Sequence, residues 1–116
     1  DAYFASSEEF KTVPYTTVEQ MPLFPGGDAE LLNFLAANTR YPEKAKENGI
    51  QGRVIVRFCV NENGGVDRIS ILKGVDPELD AEAVRVVGTL PAFIPGRQGG
   101  VAVSTWYMVP LTFALK

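Results

Sequence analysis

With 116 residues, 46% of them hydrophobic, the chain suffices for one domain with a modest core. Its net charge of −3 argues against nucleic acid as a partner. It has no histidine and one cysteine, Cys59, which excludes an internal disulfide, Ser/His/Asp or Cys/His catalysis and the usual zinc sites. No catalytic residue, metal or cofactor is therefore expected. The first residue is Asp1 and no apolar run reaches the length of a membrane span, so the chain reads as an excised or processed fragment. Charge is unevenly spread. Asp1, Glu8, Glu9, Glu19, Asp28 and Glu30 face one base, Lys11, in the first third, whereas Arg40, Lys44, Lys46, Arg53, Arg57, Arg68 and Lys73 make the middle basic.

In chain order, residues 1–20 hold Ser6-Ser7-Glu8-Glu9 and Pro14 without sustained periodicity, and read as a linker or peripheral tail. Val13–Val18 could add a short strand. Residues 21–116 form the expected domain. Met21–Gly27 is a turn-rich hinge, and Asp28 fits a helix N-cap with Glu30 in the first turn. Leu31, Leu32, Phe34 and Leu35 place an apolar stripe on a helix to about Asn38. Tyr41-Pro42 opens a short second helix that Gly49 ends, with Ala45 and Ile50 turned inward.

Gly52–Val60 alternates as a strand, with Val54, Val56, Phe58 and Val60 on one face and Arg53, Ile55, Arg57 and Cys59 on the other. Asn61–Gly65 supplies a hairpin loop, and Val66–Lys73 returns with Ile69 and Ile71 toward the core. Cys59 reads as a small, half-buried neighbour of these strands. Asp76-Pro77 starts a helix with Leu79, Ala83, Val86, Val87 and Leu90 at helical spacing. Its acids Asp76, Glu78, Asp80 and Glu82 suit a helix N-terminus and outer face better than a metal site. Pro91–Gly100 reads as a connection.

Val101–Leu115 is the longest β-type stretch, with Val103, Thr105, Tyr107, Val109, Leu111 and Phe113 on one parity. Pro110 has no N–H for a ladder, which places this strand at an edge. Backbone groups alternate sides, so if Pro110 faces outward, Ala102, Ser104, Trp106 and Met108 do too. A long edge with little charge invites a partner. Trp106 and Tyr107 lie on opposite faces, so only one of them can be core. The expected fold is α+β and two-layered. A three-stranded antiparallel sheet packs against two or three helices, with the last strand on an open edge.

The ordered set Tyr41-Pro42, Ala45, Gly49, Gly52, Val54-x-Val56-x-Phe58-x-Val60, the Gly65-Val66 hairpin closure and Leu79-Asp80 with Ala83 continues into Phe93-x-Pro95, Gly100-Val101 and Pro110-x-x-Phe113. Over about Asn38–Leu115 it resembles the C-terminal periplasmic domain of the TonB energy transducers. Phe24-Pro25-Gly26-Gly27 and the following helix resemble the extended form found in Bacteroidetes-type transducers. The resemblance implies a non-enzymatic module that binds the TonB box of outer-membrane receptors by strand addition. The incoming segment would lie along Ala102, Val103, Ser104, Thr105, Trp106, Tyr107 and Met108. It further implies receptor contacts at Asn38, Arg40, Tyr41, Pro42 and Lys44. This chain departs from the family's Gln-Pro-Gln-Tyr-Pro at Asn38 and Thr39, and carries Lys44 where the family has arginine, which loses bidentate geometry. The implied setting is the periplasm, tethered to the inner membrane by a segment outside this chain and driven by an ExbB/ExbD-like motor that couples proton-motive force to nutrient import. Strand addition of this kind is expected to be micromolar at best.

Three other readings stand beside this one. A TonB-like domain can serve a membrane sensor or peptidase without a transport role. A homodimer can pair its edge strands. A small acylphosphatase-like enzyme would use Asn38, Arg40, Arg53 and Arg57 around a phosphate, but no glycine-rich loop leads into a helix beside the arginines.

Overall fold

The computed structural model describes residues 13–115. Helix α1 (Asp28–Asn38) and the short α2 (Glu43–Glu47) precede β1 (Gly52–Val60) and β2 (Val66–Lys73). Helix α3 (Pro77–Val87), β3 (Gly96–Gln98), β4 (Val101–Val103) and β5 (Thr105–Phe113) complete the order. The main sheet runs β2-β1-β5, all antiparallel, with the helices on one face. The expected α+β architecture is the observed one.

Local chemistry accounts for most elements. The apolar parity of β1 is fully buried at Val54, Val56, Phe58 and Val60, because the helices cover only that face. Asn61 accepts from the N–H of Asn63 and Gly65 through its side-chain oxygen and so closes the β1–β2 hairpin. Asp76 caps α3 by accepting from the Glu78 N–H at 3.0 Å, with Pro77 in the first turn. Leu79, Ala83, Val86 and Val87 then bury against β1 and β2. Phe93 fills the centre, in ring contact with Phe24, Phe58 and Tyr107.

Four expectations are corrected. Val101–Leu115 is not one strand. A turn at Gly99-Gly100 folds β4 back on β3, so Val101–Val103 pairs with Gly96–Gln98, and the main-sheet strand starts at Thr105. Pro91–Gly100 therefore contains a strand as well as a connection. Asp28 is not the N-cap of α1: Gly27 occupies that position, and Asp28 is the first helical residue. Cys59 is wholly buried rather than half-buried, although it lies on the face of β1 opposite the helices.

Of the stretch read as a tail, residues 1–12 lie outside the described residues. Val13–Gln20 runs beside both sheets. Tyr15 bridges Thr105 in parallel, Gln20 bridges Arg97, and Val18 is buried.

Candidate interaction site

The geometry of β5 follows from its register. β1 and β5 pair without a shift from Gly52–Phe113 to Val60–Thr105. Odd residues of β5 point to the helices: Val109, Leu111 and Phe113 are buried, while Met108, Pro110 and Thr112 are exposed. The Trp106 N–H points away from β1 and donates to the Tyr15 C=O at 2.9 Å. Alternation then turns the N–H groups of Met108 and Thr112 outward, together with the C=O groups of Trp106, Met108, Pro110 and Thr112. No backbone partner occupies these groups among the described residues.

The edge is therefore divided. Tyr15 takes its first part, donating to the Ser104 C=O at 2.8 Å and accepting from Trp106. From Met108 to Thr112 it is open. Ala102 and Val103, expected along the edge, are held in the β3–β4 hairpin. Ser104 and Thr105 are buried, with the Ser104 hydroxyl 3.4 Å from Glu62.

Trp106 and Tyr107 separate as the parity requires. Tyr107 packs on Phe58 and Phe93 and points its O–H at Asp28, 3.4 Å away. Burial, reinforced by the Asp28 carboxylate, pushes its phenol up from the ordinary value. Trp106 lies on the outer face, where the Arg57 guanidinium stacks 4.0 Å from its ring centroid. With Thr16, Met21, Leu72 and Met108, these two side chains line an outer-face hollow of about 410 Å³.

On the helix side, a second hollow of about 410 Å³ runs between α1 and β5 residues 110–113, reaching Ala114. Leu32, Leu35, Ala36, Thr39 and Tyr41 form its other wall, and no charged side chain lines it. The Tyr41 ring sits edge-on to Phe113 at 5.5 Å, and its O–H donates to the Ile50 C=O.

The other expected contact residues lie elsewhere. The Arg40 N–H donates to Glu82 at 2.7 Å, and the Asn38 C=O accepts from Arg85 at 3.0 Å. Arg40 and Pro42 line a shallow depression against α3, and Lys44 lines another beside Asp76 and Pro77. Tyr41 alone joins the edge. Leu32, Ala36 and Thr39 are not among the expected contacts: the sequence pattern puts Leu32 in the core stripe, whereas it is 52% exposed. Their i, i+4, i+7 spacing makes a second helical stripe beside Leu31 and Leu35, and that spacing is the sequence signal for this wall.

An unpaired strand edge is a feature to which extended peptides add as strands in other domains. Residues 37–115 match the family described as Gram-negative bacterial TonB protein C-terminal, and the chain belongs to that family. Its members are non-enzymatic. The chain is 27% identical over 114 residues to Protein TonB of Helicobacter pylori, covering 94% of this chain and 39% of that protein. It is 34% identical over 77 residues to Protein tonB2 of Pseudomonas aeruginosa, covering 66% and 28%. The chain thus spans about two fifths or less of the curated relatives' length. An NMR solution structure of the Helicobacter pylori TonB C-terminal domain superposes with a TM-score of 0.56 at 25% identity, covering 79% of this chain and 87% of that one. The solution structure of the Pseudomonas aeruginosa domain gives 0.52 at 29%, covering 67% and 79%.

Proposed function

We propose that this domain is the receptor-binding part of a TonB energy transducer. It binds the TonB box of outer-membrane receptors by adding that segment as a strand outside β5. In this reading the domain lies in the periplasm. An ExbB/ExbD-like motor in the inner membrane, reached through a segment outside this chain, supplies the proton-motive force for nutrient import. The observation that carries the reading is the open backbone of Met108–Thr112. In this reading the added strand lies further along β5 than Ala102–Met108, since Tyr15 already occupies the first part.

Backbone bonding alone gives little affinity. About six bonds at roughly 1 kcal/mol net each, against an association cost of about 4 kcal/mol or more, leave roughly 2 kcal/mol. That is weaker than millimolar. Side-chain burial must supply the rest.

The test is a titration with synthetic TonB-box peptides, followed by amide NMR and by the fluorescence of Trp106, the one tryptophan of the chain. Amide shifts should centre on Met108 and Thr112. N-methylation of peptide amides on alternate residues should abolish binding, while methylation of the intervening residues should not. Methylation without alternation, or shifts away from β5, would sink strand addition.

A further inference from the structure

We propose that the groove between α1 and β5 is a specificity pocket for aliphatic side chains on alternate residues of the added strand. This rests on the strand addition proposed above and extends it from backbone pairing to side-chain choice. Side chains of a strand outside β5 alternate between the two faces of the sheet. One set must project to the helix side, where β5 ends its edge against Leu32, Ala36 and Thr39. That space is already built: about 410 Å³, bounded by Leu35, Leu111 and Phe113 at its base. Its size falls within the roughly 300–1,000 Å³ of small ligand pockets.

The chemistry of the occupant follows from the walls. No lysine, arginine, aspartate or glutamate lines the groove, so a charged side chain entering it would lose water without gaining a partner. Leu32 stays 52% exposed on a helix whose neighbours Leu31 and Leu35 are buried. A valine or isoleucine on the added strand would cover it and would also favour the extended backbone that pairing needs. The other set of side chains lies over the outer face beside Met108 and the Arg57–Trp106 stack, away from α1. The groove therefore reads every second residue, aliphatic where the side chain turns toward α1.

The experiment compares two short peptides of alternating sequence, capped at both ends. One carries valine and the other aspartate at the helix-side positions, with threonine at all others. The valine peptide should bind at least about tenfold more tightly, the equivalent of burying about two methylene groups. In Ala36→Leu, which fills the groove from an exposed helix position, the preference should shrink to about twofold or less. Leu32→Ser is the second variant and should shrink it as well. Equal binding of the two peptides, or a preference unchanged in both variants, overturns the pocket. The alternating N-methylation pattern would still report strand addition in that case, so the two readings fail separately. Sedimentation without peptide is the third arm. A dimer that Ala36→Leu dissolves would assign the groove to a second copy and overturn the proposal.

Discussion

Gly64→Ala should be among the most damaging single-methyl additions in this domain. Gly64 has φ +87°, and a Cβ built there would sit 2.0 Å from the Phe93 carbonyl oxygen. The two residues are already tied, since the Phe93 N–H donates to the Gly64 C=O at 2.8 Å. A methyl group must push that strap outward by about 1.4 Å, from 2.0 to 3.4 Å, to reach ordinary contact. Three costs add. Left-handed backbone for alanine costs about 1–2 kcal/mol, and the strap hydrogen bond about 1 kcal/mol. Loosening Phe93 forfeits part of the roughly 3–5 kcal/mol that a buried phenylalanine provides. The expected sum is about 3–5 kcal/mol, against a total of about 5–15 kcal/mol for a domain. Gly49→Ala is the control: φ is +65°, but nothing lies within 4 Å of its Cβ, so only the backbone penalty applies. In urea, at about 1.5 kcal/mol per molar, the midpoint should fall by about 2–3 M for Gly64→Ala and by about 1 M for Gly49→Ala. Equal falls would refute the close-approach argument. Tyr107 touches Phe93, so the Gly64 variant should also shift β5 amides.

Three further predictions concern stability and the edge. Burial, with the Asp67 carboxylate adding to it, pushes the Cys59 thiol up to about 11. The folded state thus keeps a proton that the unfolded chain releases, and stability should decline as pH rises from about 9 toward 11. Urea midpoints in Cys59→Ala should lose that decline and keep the later one that raised Tyr107 contributes. The Arg85 guanidinium holds the Glu82 carboxyl below its usual value, burial opposing it and the Arg40 N–H helping. Glu82→Gln should therefore lower the midpoint at neutral pH, and the two proteins should converge as acid protonates Glu82; a gap unchanged at low pH would refute the linkage. Tyr15→Pro removes the N–H given to Ser104 and should speed hydrogen exchange at the Trp106 amide by about tenfold. Tyr15→Ala, which keeps the N–H, should change it far less. Equal exchange in both would mean that the side chain, not the bridge, protects Trp106.

What could be read from the sequence is what local chemistry decides. Alternation in Gly52–Val60, the Asn61–Gly65 loop and the Asp76-Pro77 cap each specify their element within a few residues. The break at Ser104 is different. Val101–Phe113 is continuous in β propensity, and it is divided by its neighbour Gly96–Gln98, which the Gly99-Gly100 turn folds back on Val101–Val103, and by Tyr15, remote in sequence. Gly99-Gly100, both at positive φ, is a local hairpin signal, whereas the Tyr15 bridge lies outside any window along the chain. The site shows the same split. Pro110 marks the edge from the sequence alone, but which stretch stays open depends on a single bridge from a segment without periodicity. The resemblance implies receptor contacts at Arg40 and Lys44, and both lie on the α3 side, apart from the β5 edge.

An apolar edge left open for a partner is also open to a second copy of itself. Two features of β5 bear on that choice. Tyr15 shortens the edge, so that self-pairing gains fewer bonds than the full strand would offer. Pro110 then acts twice in a symmetric pair, because each strand lacks the same N–H. A proline-free peptide meets that gap once. At about 1 kcal/mol per hydrogen bond, the missing donor costs the dimer roughly twice what it costs the peptide. The groove beside α1 adds to the difference. Self-pairing would offer it another β5, whose helix-facing side chains Val109, Leu111 and Phe113 are already committed to their own core. A peptide brings side chains with no prior contacts. The same proline that places β5 at the edge therefore favours a foreign strand over its own.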